Sequence, residues 1–175
     1  MLFDPGLVQV YTGNGKGKTT AALGLSLRVC GHGGKVAFIQ FMKGWDFYGE
    51  IAGLKLLQGV RHERTGTADY VNRGSESEVD RSEAAKGVSL ALECLSSGSY
   101  DLVVLDEINV AVDYGMVDPE EVAQAIIGRP RHVEVVLTGR AAPKAFLDLA
   151  DLVTEMREVR HPYSKGIRSR RGADF

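Results

Sequence analysis

Apolar residues in this chain follow two rhythms. Short runs rich in β-branched and aromatic residues, at 7–11, 35–41, 60–64, 100–106, 132–138 and 152–156, read as strands. Longer stretches of helical period lie between them. Residues 19–30 carry Ala22, Leu23, Ser26, Leu27 and Cys30 along one face, and the pattern stops at Gly31-His32-Gly33-Gly34. Residues 76–95 place Val88, Ala91, Leu92 and Leu95 on one stripe closed by Gly98. Asp118-Pro119-Glu120-Glu121 is a helix start, with a capping acid, proline at the first position and acids in the first turn; Pro130 bars continuation beyond Ile127. A short helix over 143–150 opens on proline in the same way. Strands alternating with helices predict an α/β fold, a mostly parallel sheet flanked by helices.

No repeat or Pro/Ser-rich linker divides residues 1–175, which are expected to form one domain. The stretch 65–77 is polar, rich in Gly, Thr and Ser, and longer than an ordinary connection. A mobile substrate loop and a plain solvated surface loop both fit it.

Composition narrows the partners. At 175 residues, 44% hydrophobic and 25% charged, the chain can bury a core without disulfides or metal staples. A formal net charge of −2 offers no global attraction to nucleic acid or to an anionic membrane, so a basic site must be local. Cys30 and Cys94 show no C-x-x-C spacing and read as reduced, buried thiols. His32, His62, His132 and His161 are scattered without ligand spacing, so no zinc site is expected. The N-terminus has no basic, apolar leader pattern and no apolar run reaches membrane-spanning length, which predicts the cytoplasm.

The strongest chemical signal is Thr12-Gly13-Asn14-Gly15-Lys16-Gly17-Lys18-Thr19-Thr20, set between a strand and a helix as a phosphate-binding loop requires. Glycines let successive backbone N–H groups turn inward and the helix N-terminus adds positive potential; Lys18 supplies a point charge and the Thr19 hydroxyl a ligand for Mg²⁺. The usual G-x-x-x-x-G-K-[ST] spacing would put glycine at position 12, where Thr12 stands. That departure weakens a reading as a motor ATPase or GTPase. A second signal is Asp101-Leu102-Val103-Val104-Leu105-Asp106-Glu107, an apolar strand ending in two acids that would bring Asp106 and Glu107 near the metal. Arg140, in Thr138-Gly139-Arg140, follows another strand's carboxyl end; a phosphate grip and a surface arginine are both open there. Arg28, well along the first helix, reads on its own as a solvated or salt-bridged residue. The segment 157–171 concentrates Arg157, Arg160, Lys165, Arg168, Arg170 and Arg171 against Glu158. It suits triphosphate, another acidic ligand, a partner subunit or nucleic acid, or is simply solvated.

Taken in order, these residues resemble the cobalamin adenosyltransferases of the CobA, CobO and BtuR type. The resemblance runs through Gly13-Asn14-Gly15-Lys16-Gly17-Lys18-Thr19-Thr20, Gly31-His32-Gly33, Gln40-Phe41-Met42-Lys43-Gly44, Val104-Leu105-Asp106-Glu107, Arg129-Pro130, Thr138-Gly139-Arg140, Leu149-Ala150-Asp151 and the ending around His161, Gly166 and Gly172. It implies a RecA-like P-loop domain that holds MgATP in the reverse sense from ordinary P-loop enzymes and presents the ribose C5′ to the Co(I) of a corrinoid. The implied products are the adenosylated corrinoid, from cob(I)alamin or cob(I)yrinic acid a,c-diamide, and triphosphate. Lys18, Thr19 and Glu107 would then be catalytic, with Thr19, Asp106 and Glu107 on the metal side. Residues Gly13, Asn14, Gly15, Lys16, Gly17, Lys18, Thr19, Thr20, Arg28 and Arg140 would bind nucleotide, and Met42, Tyr70 and Arg140 the corrinoid. A homodimer and a flavoprotein reductase supplying Co(I) are the implied partners. Enteric members of the family carry a Phe and Trp pair near the corrinoid, where this chain reads Thr65-Gly66-Thr67-Ala68-Asp69-Tyr70. The rival readings are a phosphoryl-transfer enzyme and a non-catalytic, nucleotide-dependent corrinoid carrier.

Overall fold

Six five- or four-residue strands alternate with helices along the chain. In the computed structural model, which describes residues 1–175, the order is β1 (Val8–Thr12), α1 (Lys18–Gly31), β2 (Val36–Gln40), α2 (Gly49–Lys55), β3 (Val60–Arg64), α3 (Glu78–Ser97), β4 (Leu102–Asp106), α4 (Ile108–Asp113), α5 (Pro119–Ile127), β5 (Glu134–Thr138), α6 (Lys144–Leu149) and β6 (Leu152–Glu155), then a 3₁₀ turn at Pro162–Lys165. The six strands form one sheet in the order β3-β2-β4-β5-β1-β6. Every pairing is parallel.

The strand period of two divides the core. Val103 and Leu105 point to one face with Ala37, Ile39, Val135 and Leu137, where they meet Val88, Ala91 and Leu95 of α3, Val122 and Ile126 of α5, and Phe146 of α6. Leu102 and Val104 point the other way with Val36, Phe38 and Val136, against Ala22 and Val29 of α1 and Leu54 of α2. Burial on both faces explains why β2, β4 and β5 read as continuous apolar runs. Right-handed crossovers explain the sorting of helices. Connections running toward β3 carry α1 and α2 on one face, and those running toward β6 carry α3, α5 and α6 on the other. Neighbouring strands β1 and β5 therefore send their chains to opposite faces, and a crevice opens at their carboxyl ends.

The expected elements are present, with their ends shifted by no more than two residues in either direction. Helix α3 starts at Ser77, whose side chain caps Asp80 N while Asp80 returns a bond to Ser77 N. Two helices went unforeseen. Both α2 and α4 are of seven residues or fewer, too short to show a helical stripe. Residues 65–77 contain no helix or strand. Cys94 is buried and Cys30 half-buried, both as free thiols. No helix is long and apolar enough to cross a membrane.

Candidate functional site

The phosphate loop leaves β1 at Thr12 and enters α1 at Lys18. Gly17 needs its glycine for conformation, since φ is 114° there. Gly15 needs it for space: a Cβ would stand 2.6 Å from the Met156 carbonyl oxygen, and the Gly15 N–H donates to that same oxygen at 2.6 Å. The chain leaving β6 thus presses on the loop and sets its shape. Lys18 is buried at the mouth, donating from Nζ to the Gly13 and Gly15 carbonyls at 2.7 Å each. Burial first, and then Arg140, pull its ammonium below the ordinary lysine range, against an upward pull from Glu107 and Asp106.

Asp106, at the end of β4, is the hub of the site and is wholly buried. Its Oδ1 accepts from Thr138 Oγ1 at 2.7 Å and Thr19 Oγ1 at 2.9 Å; its Oδ2 accepts from Gln40 Nε2 at 3.0 Å and faces Lys43 Nζ at 3.1 Å. Burial alone would raise its pKa, but Lys43 and the hydrogen bonds outweigh it and hold the carboxyl below the usual range. Glu107 takes the opposite course. Burial and then the Asp106 charge push it up, against Lys43, Lys18 and Arg140. Its backbone is left-handed, with φ 62°, and its N–H donates to Thr138 Oγ1 at 3.0 Å. Strain of this sort in a non-glycine residue is typical of functional sites. The Gly139-Arg140 turn is tied down by Asn109, whose Nδ2 donates to the Gly139 carbonyl at 3.0 Å while its buried Oδ1 has no partner.

These groups border a cavity of about 590 Å³. Its floor is the phosphate loop from Asn14 to Thr20, with Leu23; Lys43, Glu50, Glu107 and Arg140 form one wall. The other wall is the C-terminal arm, through His161, Tyr163, Ile167, Arg168 and the last residues up to Phe175. At the rim, Trp45, Phe47, Tyr48 and Phe175 pack in a chain of ring contacts 4.8 to 6.5 Å between centroids.

Residues 4–175 match the family described as ATP:corrinoid adenosyltransferase BtuR/CobO/CobP. The chain belongs to that family. It is 39% identical over 173 residues to the corrinoid adenosyltransferase of Escherichia coli K12, covering 97% of this chain and 86% of that protein. Likewise it is 38% identical over 175 residues to the corrinoid adenosyltransferase CobA of Salmonella typhimurium, with 97% and 86% covered. It is also 40% identical over 172 residues to an uncharacterised Nostoc protein, all2391, matching 90% of this chain but only 45% of that longer one.

In this member of the family, the residues singled out in the sequence fall into two groups. Asn14, Gly15, Lys16, Gly17, Lys18, Thr19, Thr20, Glu107 and Arg140 line the one cavity, with Gly13 at the entry to the loop and Asp106 directly beneath. Arg28, Met42 and Tyr70 lie elsewhere. Arg28 is exposed in the last turn of α1, ten residues and hence about 15 Å along the axis from Lys18. Met42 has φ 58° and packs on the core, lining a small recess with Val71, Ala84 and Met116. Tyr70 is 74% exposed.

Gln40, Lys43 and Thr138 complete the hub around Asp106 and were not picked out individually. Gln40 and Lys43 lie within the segment that carries the family resemblance, and Thr138 beside Arg140. What marks Gln40 and Thr138 is that each is a polar residue ending a buried parallel strand, at the edge where ligands bind; Lys43 lies three residues past the end of β2. His62 supports Gln40 from β3, its Nε2 lying 2.9 Å from Gln40 Oε1. Burial and Arg64 hold that imidazole below its ordinary pKa, which favours the neutral ring.

Proposed function

We infer that this chain passes the 5′-deoxyadenosyl group of MgATP to the Co(I) of a corrinoid, with intact triphosphate leaving. Family membership supports the adenosyl transfer, and one observation supports its placement here: the phosphate loop, Glu107 and Arg140 converge on a single cavity at the carboxyl edge of the sheet. The cobalt lone pair attacks C5′, the C5′–O bond breaks, and its electrons leave with the triphosphate. Cobalt is thereby oxidised from Co(I) to an alkylated Co(III), and no proton is removed. The protein needs no general base for this step; it must hold C5′ in line and stabilise charge on the departing phosphates.

The loop amides and Lys18 hold the phosphates in this reading, and Arg140 adds a guanidinium from the adjoining wall. Asp106 has its oxygens taken up by Thr19, Thr138, Gln40 and Lys43, so it positions the Thr19 hydroxyl. Glu107, next to Asp106 in the chain, lines the cavity with its carboxylate, as Glu50, Glu158 and Asp174 do from other segments. A hydroxyl and a carboxylate beside a polyphosphate are hard oxygen donors and fit Mg²⁺, whose excess charge would relieve the Glu107 and Asp106 pair. When bound, Mg²⁺ supplies charge neutralisation to the leaving triphosphate. Arg28 as a nucleotide residue, and Met42 and Tyr70 at the corrinoid, belong to this proposal; none of the three lines the cavity, and a homodimer would provide a second surface. A cytoplasmic location, a corrinoid-reducing flavoprotein partner, and cobalamin or its a,c-diamide precursor as acceptor complete it.

The test is anaerobic incubation with ATP, Mg²⁺ and chemically reduced cobalamin. The expected products are inorganic triphosphate and a light-sensitive cobalt–carbon bond seen by absorbance. Formation of ADP instead would replace this reading with phosphoryl transfer, and tight MgATP binding without turnover would leave a carrier.

A further inference from the structure

The arm from 157 to 175 is lightly anchored. Only His161 and Phe175 within it are partly covered, and all its other residues are exposed. A segment that buries so little apolar surface detaches at small free-energy cost. Its far end is nevertheless held at the phosphate loop. Lys16 Nζ donates to the Ala173 carbonyl at 2.6 Å and is ion-paired with Asp174 Oδ1. The other Asp174 oxygen accepts from Arg170, at 2.8 Å from the backbone N and 3.2 Å from Nε. Phe175 then rests edge-on against Phe47, 5.2 Å between centroids.

Asp174 and Lys16 both line the cavity, as does Arg168 of the same arm. Four carboxylates line this cavity, Glu50, Glu107, Glu158 and Asp174, beside Lys16, Lys18, Lys43, Arg140 and Arg168, and Asp174 is the one that sits on Lys16 of the loop itself. A polyphosphate tail entering there carries several negative charges. It competes with Asp174 for Lys16 and repels it, while the arm as a whole, with six Lys or Arg against Glu158 and Asp174, is attracted to it.

We propose that Asp174 is a built-in stand-in for a phosphate: polyphosphate takes Lys16 from Asp174, and the arm then closes on it through Arg168 and the guanidinium of Arg170 that Asp174 releases. This rests on the nucleotide reading of the loop and extends it to an arm that the reading leaves unassigned. The carboxylate keeps the arm docked over an otherwise open cradle. The exchange turns an inhibitory contact into a cationic clamp.

The two residues have opposite signs, and that makes the test sharp. Inorganic tripolyphosphate with Mg²⁺ is titrated by calorimetry into wild type, Asp174→Asn, Arg168→Gln and Lys18→Ala, all first confirmed folded by circular dichroism. Asp174→Asn is expected to bind about twofold to fivefold more tightly than wild type, and Arg168→Gln more weakly by a similar factor, the range for exposed ion pairs. Trp45, the one tryptophan, lies 5.1 Å from Phe47 and senses the seat of Phe175; its emission should change with the calorimetric midpoint. Equal or weaker binding by Asp174→Asn, or an unchanged Arg168→Gln, would overturn the exchange. Failure of wild type to bind tripolyphosphate any better than Lys18→Ala would instead remove the nucleotide reading of the loop, and the proposal with it.

Discussion

Thr138 carries no charge and touches no proposed substrate, yet its hydroxyl joins the two acids of the site. Oγ1 donates to Asp106 Oδ1 at 2.7 Å and accepts from the Glu107 N–H at 3.0 Å. Thr138→Val keeps the shape and the β-branching but removes both bonds. A hydrogen bond to a charged group contributes about 1.5–3 kcal/mol, and a buried N–H left without a partner costs about 1–3 kcal/mol. Thr19, Gln40 and Lys43 still serve Asp106 and can tighten on it, so the two losses do not add in full; we expect about 3 kcal/mol of destabilisation. For a chain of this size that lowers Tm by about 6–12 °C. Activity should fall too, because the same bond holds Glu107 in a left-handed conformation that costs about 1–3 kcal/mol to maintain. Relaxation of that residue is expected to lower kcat by about tenfold, equivalent to about 1.4 kcal/mol. Thr138→Ser is the control. It keeps the hydroxyl and loses one methyl, about 1 kcal/mol, with turnover near normal. Urea unfolding followed by circular dichroism and anaerobic adenosyl transfer measure the two effects. Stability of the valine variant within about 0.5 kcal/mol of wild type, or a serine variant as damaged as the valine one, would refute the bridging role.

Lys18→Ala should lower adenosyl transfer by more than about a hundredfold while leaving the far-ultraviolet circular dichroism unchanged, since the ammonium contacts only loop carbonyls; full activity in a folded variant would remove Lys18 from the mechanism. Gly15→Ala places a Cβ 2.6 Å from the Met156 carbonyl oxygen and should cost about 1–3 kcal/mol while loosening the arm, read as faster proteolysis beyond residue 156. Ser77→Ala removes the α3 capping box and should cost about 1 kcal/mol at neutral pH. Hydrogen bonds from Ser77 hold the Asp80 carboxyl below its ordinary range, so its contribution is complete above the unfolded pKa and is lost as pH falls through the lower folded value. The gap between wild type and Ser77→Ala should therefore narrow in acid, and a gap independent of pH down to full protonation would refute that account.

Much of this protein is legible in one dimension. Strand and helix periodicity, the glycines around Lys18 and the acids closing β4 are local features, governed by backbone sterics and by the burial of short apolar runs. They are enough to place Lys18, Thr19 and Glu107 in one site, because strand, loop and helix are contiguous and parallel strands bring their carboxyl ends to one edge. Tertiary structure decided the rest. Gly15 is demanded by Met156, 141 residues later by number, and the sharing of Asp106 among Thr19, Gln40, Lys43 and Thr138 draws on three other strands or their flanks. A basic run such as 157–171 reads the same whether it is solvated or folded over a cavity. Its docking depends on a few long-range contacts, Lys16 with Asp174 and Phe47 with Phe175, that leave no period in the sequence. Local energetics write patterns along the chain; contacts between distant segments appear only once the sheet has set which ends meet.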